Sequence, residues 1–98
     1  LKGYRIIASR YRTPLGEIDI VAARGRVLAL VEVKARSSRR AAAEALSQHQ
    51  QERLQRAAAA FLARYPFFNQ HSTRFDLMLV TPWRWPHHII GAWDGSSG

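Results

Sequence analysis

Apolar and polar positions are most ordered between Gly16 and Arg36: Gly-Glu-Ile-Asp-Ile-Val-Ala-Ala-Arg-Gly-Arg-Val-Leu-Ala-Leu-Val-Glu-Val-Lys-Ala-Arg. Two runs rich in β-branched and apolar residues flank Arg24-Gly25-Arg26, the pattern of a β-hairpin. A two-residue Gly25-Arg26 turn closed by Arg24 and Val27 sets the register. It pairs Ala22 with Ala29, Ile20 with Val31 and Ile18 with Val33 on one apolar face. The other face then pairs Val21 with Leu30, Asp19 with Glu32 and Glu17 with Lys34. A slip of one residue would mix the two faces.

The rest of the chain supplies further elements. Residues 3–12 read as a first strand, and Thr13-Pro14-Leu15-Gly16 as a turn. Residues 36–46 read as a polar, basic loop or a short turn of helix beside the hairpin end. Ser47 and Gln50 fit a capping box at the start of a helix over 48–64. Along it Leu54, Ala57, Ala58, Phe61, Leu62 and Tyr65 recur at three-to-four spacing. Tyr65-Pro66 ends it. Residues 67–73 read as a loop. Residues 74–81 read as a strand buried on both faces with a parallel partner, and 87–93 as a short edge strand. The order β-β-β-α-β-β predicts an α/β fold with a mixed sheet and the helix on one face. Residues 1–94 are expected to form a single domain and 95–98 a flexible tail.

Composition narrows the classes. Ninety-eight residues, 47% hydrophobic and 22% charged, suit one globular domain. There are no cysteines, so neither a disulfide scaffold nor a thiolate metal site is available. That suits a cytoplasmic location. No apolar run approaches the ~20 residues of a membrane helix, so no membrane partner is expected. The net charge of +8 and pI of about 11.3 favour polyanions, nucleic acid before membrane. An arginine-rich composition also arises in GC-rich genomes without any such role.

The candidate chemistry lies on the hairpin. Directly opposed carboxylates, Asp19 and Glu32, repel each other beside a partly buried face. A divalent cation is the simplest reason for such a pair, because Mg²⁺ takes one or two carboxylates plus water and substrate phosphate. Lys34 shares that face, one pleat along, in reach of an attacking water or a phosphate. Asp19 followed by Glu32-Val33-Lys34 resembles the Asp…Glu-X-Lys core of the PD-(D/E)XK nuclease superfamily. The fuller string Gly16-Glu17-Ile18-Asp19 … Val31-Glu32-Val33-Lys34-Ala35-Arg36 resembles the uncharacterised bacterial YraN family, similar in turn to archaeal Holliday-junction resolvases. The likeness runs over nearly the whole chain.

The resemblance implies a restriction-endonuclease-like fold and a metal-dependent endonuclease acting on DNA rather than RNA, branched or structured DNA first. It would place Mg²⁺ or Mn²⁺ on Asp19, Glu32 and the Val33 carbonyl, with Asp19, Glu32 and Lys34 as the catalytic set. Glu17 would pair with Lys34 or join the metal shell. Gln51, on the inward side of the helix, matches a polar helix residue that points to the site in similar nucleases, or is an ordinary boundary residue. The lysine that usually precedes that position is replaced by Gln50. Members of the family usually carry an N-terminal helix that has no counterpart in this sequence. A homodimer is one way to cover the sheet face left bare.

Several residues keep two readings. Arg5, Arg10 and Arg12 line a phosphate path or form a solvated edge; Arg12, Arg36, Arg39 and Arg40 are the candidate nucleic-acid contacts. Trp83 and Trp85 around Arg84 stack on exposed bases, form a dimer contact, or pack; packing is favoured, because tryptophan is highly buried on average. Asp76 caps or pairs with an arginine. The four histidines show no zinc-ligand spacing. Beside the nuclease stand two alternatives: a non-catalytic nucleic-acid-binding module, and a protein-interaction domain with a degenerate nuclease site.

Overall fold

The computed structural model describes residues 1–38, 40 and 47–93. Its elements are β1 (Arg5–Thr13), β2 (Gly16–Arg24), β3 (Val27–Ala35), the helix α1 (Gln48–Arg64), a 3-10 turn (Pro66–Gln70), β4 (Ser72–Val80) and β5 (His87–Trp93). The strands form one sheet in the order β1-β2-β3-β4-β5. β3 and β4 run parallel and the other neighbours antiparallel. This is an α/β mixed sheet of restriction-endonuclease-like topology. The expected tail at 95–98 lies outside the described residues, as do Arg39 and residues 41–46 of the expected loop.

The hairpin register derived from the sequence holds for five pairs, from Arg24↔Val27 to Ile20↔Val31. Gly25 has φ +58, the left-handed value that opens a Gly-X turn without a Cβ penalty. Beyond Ile20 the simple alternation fails. Ile18 shares a core with Val21 and Ala23, although period two would set it on the opposite face. Arg10, opposite this point on β1, sits at φ +52. Ser9↔Ile20 and Tyr11↔Ile18 are paired, with Arg10 and Asp19 left between them. The left-handed arginine lets β1 change face together with β2, so Ala8 and Tyr11 both pack on the same core. The expected facing pairs Ile18–Val33, Asp19–Glu32 and Glu17–Lys34 are therefore not formed as ladder pairs.

Helix α1 covers one face. Ser47 caps it, its Oγ accepting the Gln50 N–H at 3.2 Å. Leu54, Ala57, Ala58 and Phe61 are buried against Ile18, Val21, Leu28 and Leu30. The two alanines let the helix lie close, while burying Leu54 and Phe61 stabilises by roughly 1.5–3 kcal/mol each. Tyr65 leaves helical geometry before Pro66 (φ −126, ψ 76), its N–H closing on the Phe61 carbonyl at 2.9 Å.

β4 is less buried than its Leu77-Met78-Leu79-Val80 run predicts. Leu77 and Leu79 are buried, but Met78 is half-buried and Val80 exposed, because α1 lies on one face only. On the other face stands Asp76, with no solvent exposure. Arg74 grips it twice, Nε to Oδ1 and Nη2 to Oδ2, both at 2.8 Å. His88 Nε2 lies 2.7 Å from Oδ2, and the Gly91 N–H donates to Oδ1 at 2.9 Å. Tyr4 in turn accepts from Arg74 Nη2. Gly91 takes φ +61 where the β4–β5 register shifts, so the carboxylate replaces a ladder partner there. The reading that Asp76 pairs with an arginine holds.

Burial pushes the Asp76 carboxyl pKa up, but the hydrogen bonds from Arg74, Gly91 and His88 outweigh it and hold the pKa below its ordinary value. Its contribution to stability is thus present above the unfolded carboxylate value of ~3.9 and lost as pH falls through the lower folded value. Removing one partner of a buried pair strands the other, so Asp76→Ala should destabilise by about 3–5 kcal/mol in urea unfolding at pH 7. The difference from wild type should narrow as pH falls below ~3.9.

Candidate functional site

The interrupted β2–β3 ladder creates the site. Asp19 falls outside the paired registers of both neighbouring strands, and its Oδ2 accepts the Val33 N–H at 2.8 Å. It therefore stands in for a backbone carbonyl. Glu32 follows Leu28 and Leu30 at period two, onto the face covered by the helix. In β4, Leu77 lies beside Glu32 and Leu79 beside Lys34, and both leucines are buried. Glu32 is only 6% exposed, and Lys34 Nζ lies 3.9 Å from Glu32 Oε1.

Glu32 and Asp19 share a side-chain hydrogen bond. Burial is the largest influence on Glu32 and raises its pKa; the bond and charge of Asp19 raise it further, against opposing pulls from Lys34 and Arg53. The result is pushed up to about 7 from an ordinary 4.5. Glu32 thus keeps its proton to higher pH than a free carboxyl does. A proton on Glu32 weakens the like-charge repulsion that the sequence pattern assigns to a cation.

The remaining candidates separate. Glu17 faces outward to Arg10 and Arg12, at 3.9 and 3.6 Å, and not to Lys34 or the pair. Arg12 and Arg36 are exposed; Arg36 also donates its N–H to the Val80 carbonyl at 3.1 Å. Arg40 is exposed and Gln51 half-buried, while Arg39 lies outside the described residues. Val33 contributes its N–H to the cluster.

Arg53 belongs here too, and the sequence reading overlooked it. It immediately precedes Leu54, off the apolar stripe, so helical period gives it no signal. Its stem crosses Gly16, where an added Cβ would lie 2.9 Å from Arg53 Cγ. A close approach of this kind is what glycine permits.

These facts correct the metal-dependent reading. Among the described residues no group of three or more His, Cys, Asp or Glu side chains is placed to hold a metal ion. Two carboxylates are brought together, fewer than such a group needs, and one Asp19 oxygen already accepts the Val33 N–H. Glu17 is turned to the arginines. Among the described residues the donor set does not fit Mg²⁺ or Mn²⁺, and it supports neither a Mg-dependent endonuclease nor phosphodiester hydrolysis.

The packing reading of Trp83 and Trp85 also fails. Trp83 is fully exposed and Trp85 is 90% exposed, on a turn bracketed by Pro82 and Pro86 off the end of β4. Trp93 packs instead, stacked on Phe75 at 5.4 Å between ring centres.

Two outcomes test the site. A carboxyl with a raised folded pKa stabilises most below its unfolded value, and that contribution declines as pH rises to the folded value. Denaturation at a series of pH values should show stability falling by on the order of 3 kcal/mol between about pH 4.5 and 7, at about 1.4 kcal/mol per unit. Glu32→Gln should remove that slope. Gly16→Ala, at φ +147 and against Arg53, should cost at least about 1 kcal/mol in the same measurement.

The chain matches the model of the uncharacterised protein family UPF0102 over residues 1–80. A UPF0102 protein of Parvibaculum lavamentivorans is 59% identical over 93 residues, covering 95% of this chain and 70% of the relative. One from Nitrobacter winogradskyi is 53% identical over 96 residues, covering 98% and 81%. One from Rhizobium meliloti is 52% identical over 92 residues, covering 94% and 75%. On both grounds this chain belongs to the UPF0102 family.

Proposed function

We propose that this protein is a non-catalytic nucleic-acid-binding module built on a nuclease-like sheet. The carrying observation is where the carboxylates are. Of seven acidic residues, Asp19 and Glu32 bond to each other, Glu17 is drawn to Arg10 and Arg12, and Asp76 is enclosed by Arg74 and His88. Fifteen lysines and arginines oppose those seven. Glu32 and Asp76 are buried within the fold, and the excess of arginine and lysine sets up a potential that draws a phosphate backbone irrespective of base sequence.

The resemblance to YraN, to the PD-(D/E)XK nucleases and to Holliday-junction resolvases is read here as descent. The sheet is retained, while the acidic pair serves as a structural element flanked by Lys34 and Arg53. Arg12, Arg36 and Arg40, with Arg39 by its sequence position, carry the phosphate contacts. By the same descent DNA is the preferred polymer, and residues 1–94 are the binding unit, with 95–98 a tail.

Fluorescence anisotropy with labelled duplex and four-way junction DNA, in EDTA and again in Mg²⁺, tests this. Log affinity should fall linearly with log salt in both buffers, without cleavage. Arg12→Ala, Arg36→Ala and Arg40→Ala should each weaken binding and reduce the salt slope by about 1. No binding at low salt overturns the proposal.

A further inference from the structure

The loop between β4 and β5 combines three unusual features. Its two tryptophans are both in solvent, although large exposed aromatics are costly and soluble proteins rarely keep them without a use. Trp83 has φ +64, a left-handed conformation that is unfavourable for a bulky side chain and is held by the surrounding turn. Arg84 lies between the two tryptophans in the sequence, with prolines on either side. Prolines limit the conformations open to the loop, so the rings are presented with little entropy left to lose on binding.

The ground beside the loop combines polar and basic groups with apolar wall. A recess of 310 Å³ is lined by Ser37, Ser38, Thr81, Pro82 and Arg84. It adjoins a second recess of 470 Å³ whose wall includes Arg36. β3 ends at Ala35 and β4 at Val80, parallel and adjacent, so Arg36 and the tryptophan loop emerge from the same end of the sheet.

We infer that Trp83 and Trp85 form a stacking platform for unpaired bases of single-stranded nucleic acid, with Arg84 and Arg36 on the flanking phosphates. This deepens the proposed function and rests on it. A flat aromatic ring accepts any base, and stacking of this kind needs the base out of a duplex. Charge decides the occupant. A protein surface or a second copy would meet the cationic Arg84 and Arg36 at this end of the sheet, and a second copy carries the same +8. A polyanion is complementary to both the rings and the arginines.

The test uses intrinsic fluorescence and anisotropy with a short oligodeoxythymidylate, the matching oligouridylate and a blunt duplex. The single strands should quench tryptophan emission. Trp93, stacked on Phe75, supplies an unquenched remainder. Trp83→Ala and Trp85→Ala should each weaken single-strand binding roughly 5- to 150-fold. Trp83→Phe and Trp85→Phe should restore most of it, and duplex affinity should be unchanged throughout. Comparing the two oligonucleotides identifies DNA or RNA as the preferred strand.

Duplex binding that persists while single-strand binding is untouched by both alanine variants overturns this inference and leaves the proposed function standing. Loss of all nucleic-acid binding in the wild type overturns both. Quenching that follows protein concentration in sedimentation runs, or that anionic lipid vesicles produce and oligonucleotides do not, assigns the loop to another partner and overturns the inference.

Discussion

Asp76 is a full charge with no contact with water, and the helix-free face of the sheet is arranged around its neutralisation. Two bonds from one guanidinium, one from an imidazole and one from a backbone N–H fill both oxygens. Those donors come from β4 and β5, and Tyr4 ties in the segment before β1 through Arg74. The small side chains Ala22, Ala29 and Val31 lie fully buried on the alternate face from the helix core. A single polar cluster thus does on one face what Leu54 and Phe61 do on the other. It holds elements from both ends of the chain together through directional bonds rather than apolar area.

Asp19 solves the same problem at a different gap. Both aspartates accept a strand N–H where a ladder is broken, from Val33 in one case and Gly91 in the other. They differ in what balances the charge. Asp76 has an arginine in bidentate contact. Asp19 has a second acid, Glu32, with Lys34 only at 3.9 Å from the latter. Burial and the neighbouring Asp19 raise the Glu32 carboxyl pKa against the opposing pulls of Lys34 and Arg53. The acidic pattern read from the sequence is therefore brought together, while its geometry gives a carboxyl pair with Asp19 on the Val33 N–H and Lys34 beside Glu32.

Much of the architecture is legible in the sequence because it is local. Five hairpin pairs follow from one glycine and the parity of the flanking residues. The helix follows from Ser47, a three-to-four stripe and a proline. Even the Arg74–Asp76 contact obeys period two on a strand. The failures are non-local. Nothing around Ile18 announces that the strand changes face there, since the cause is a left-handed arginine on the neighbouring strand. Glu32 and Asp19 read as a metal pair because spacing reports proximity, not protonation. Arg53 enters the site by crossing a glycine far away in sequence. Trp83 and Trp85 look like core residues by type, and only the placement of their turn beyond the sheet puts them in solvent.

Arg10 has one more effect. β1 is an outer strand, and its unpaired side would offer another molecule a row of amides and carbonyls to extend the sheet. The left-handed residue in the middle of that row breaks its regular spacing, and the exposed Arg5, Arg10 and Arg12 set cations along it. An incoming strand would lose register after a few residues and would meet like charge if it came from a second copy. The distortion that directs Ile18 inward therefore also guards this edge of the sheet against pairing with a further strand.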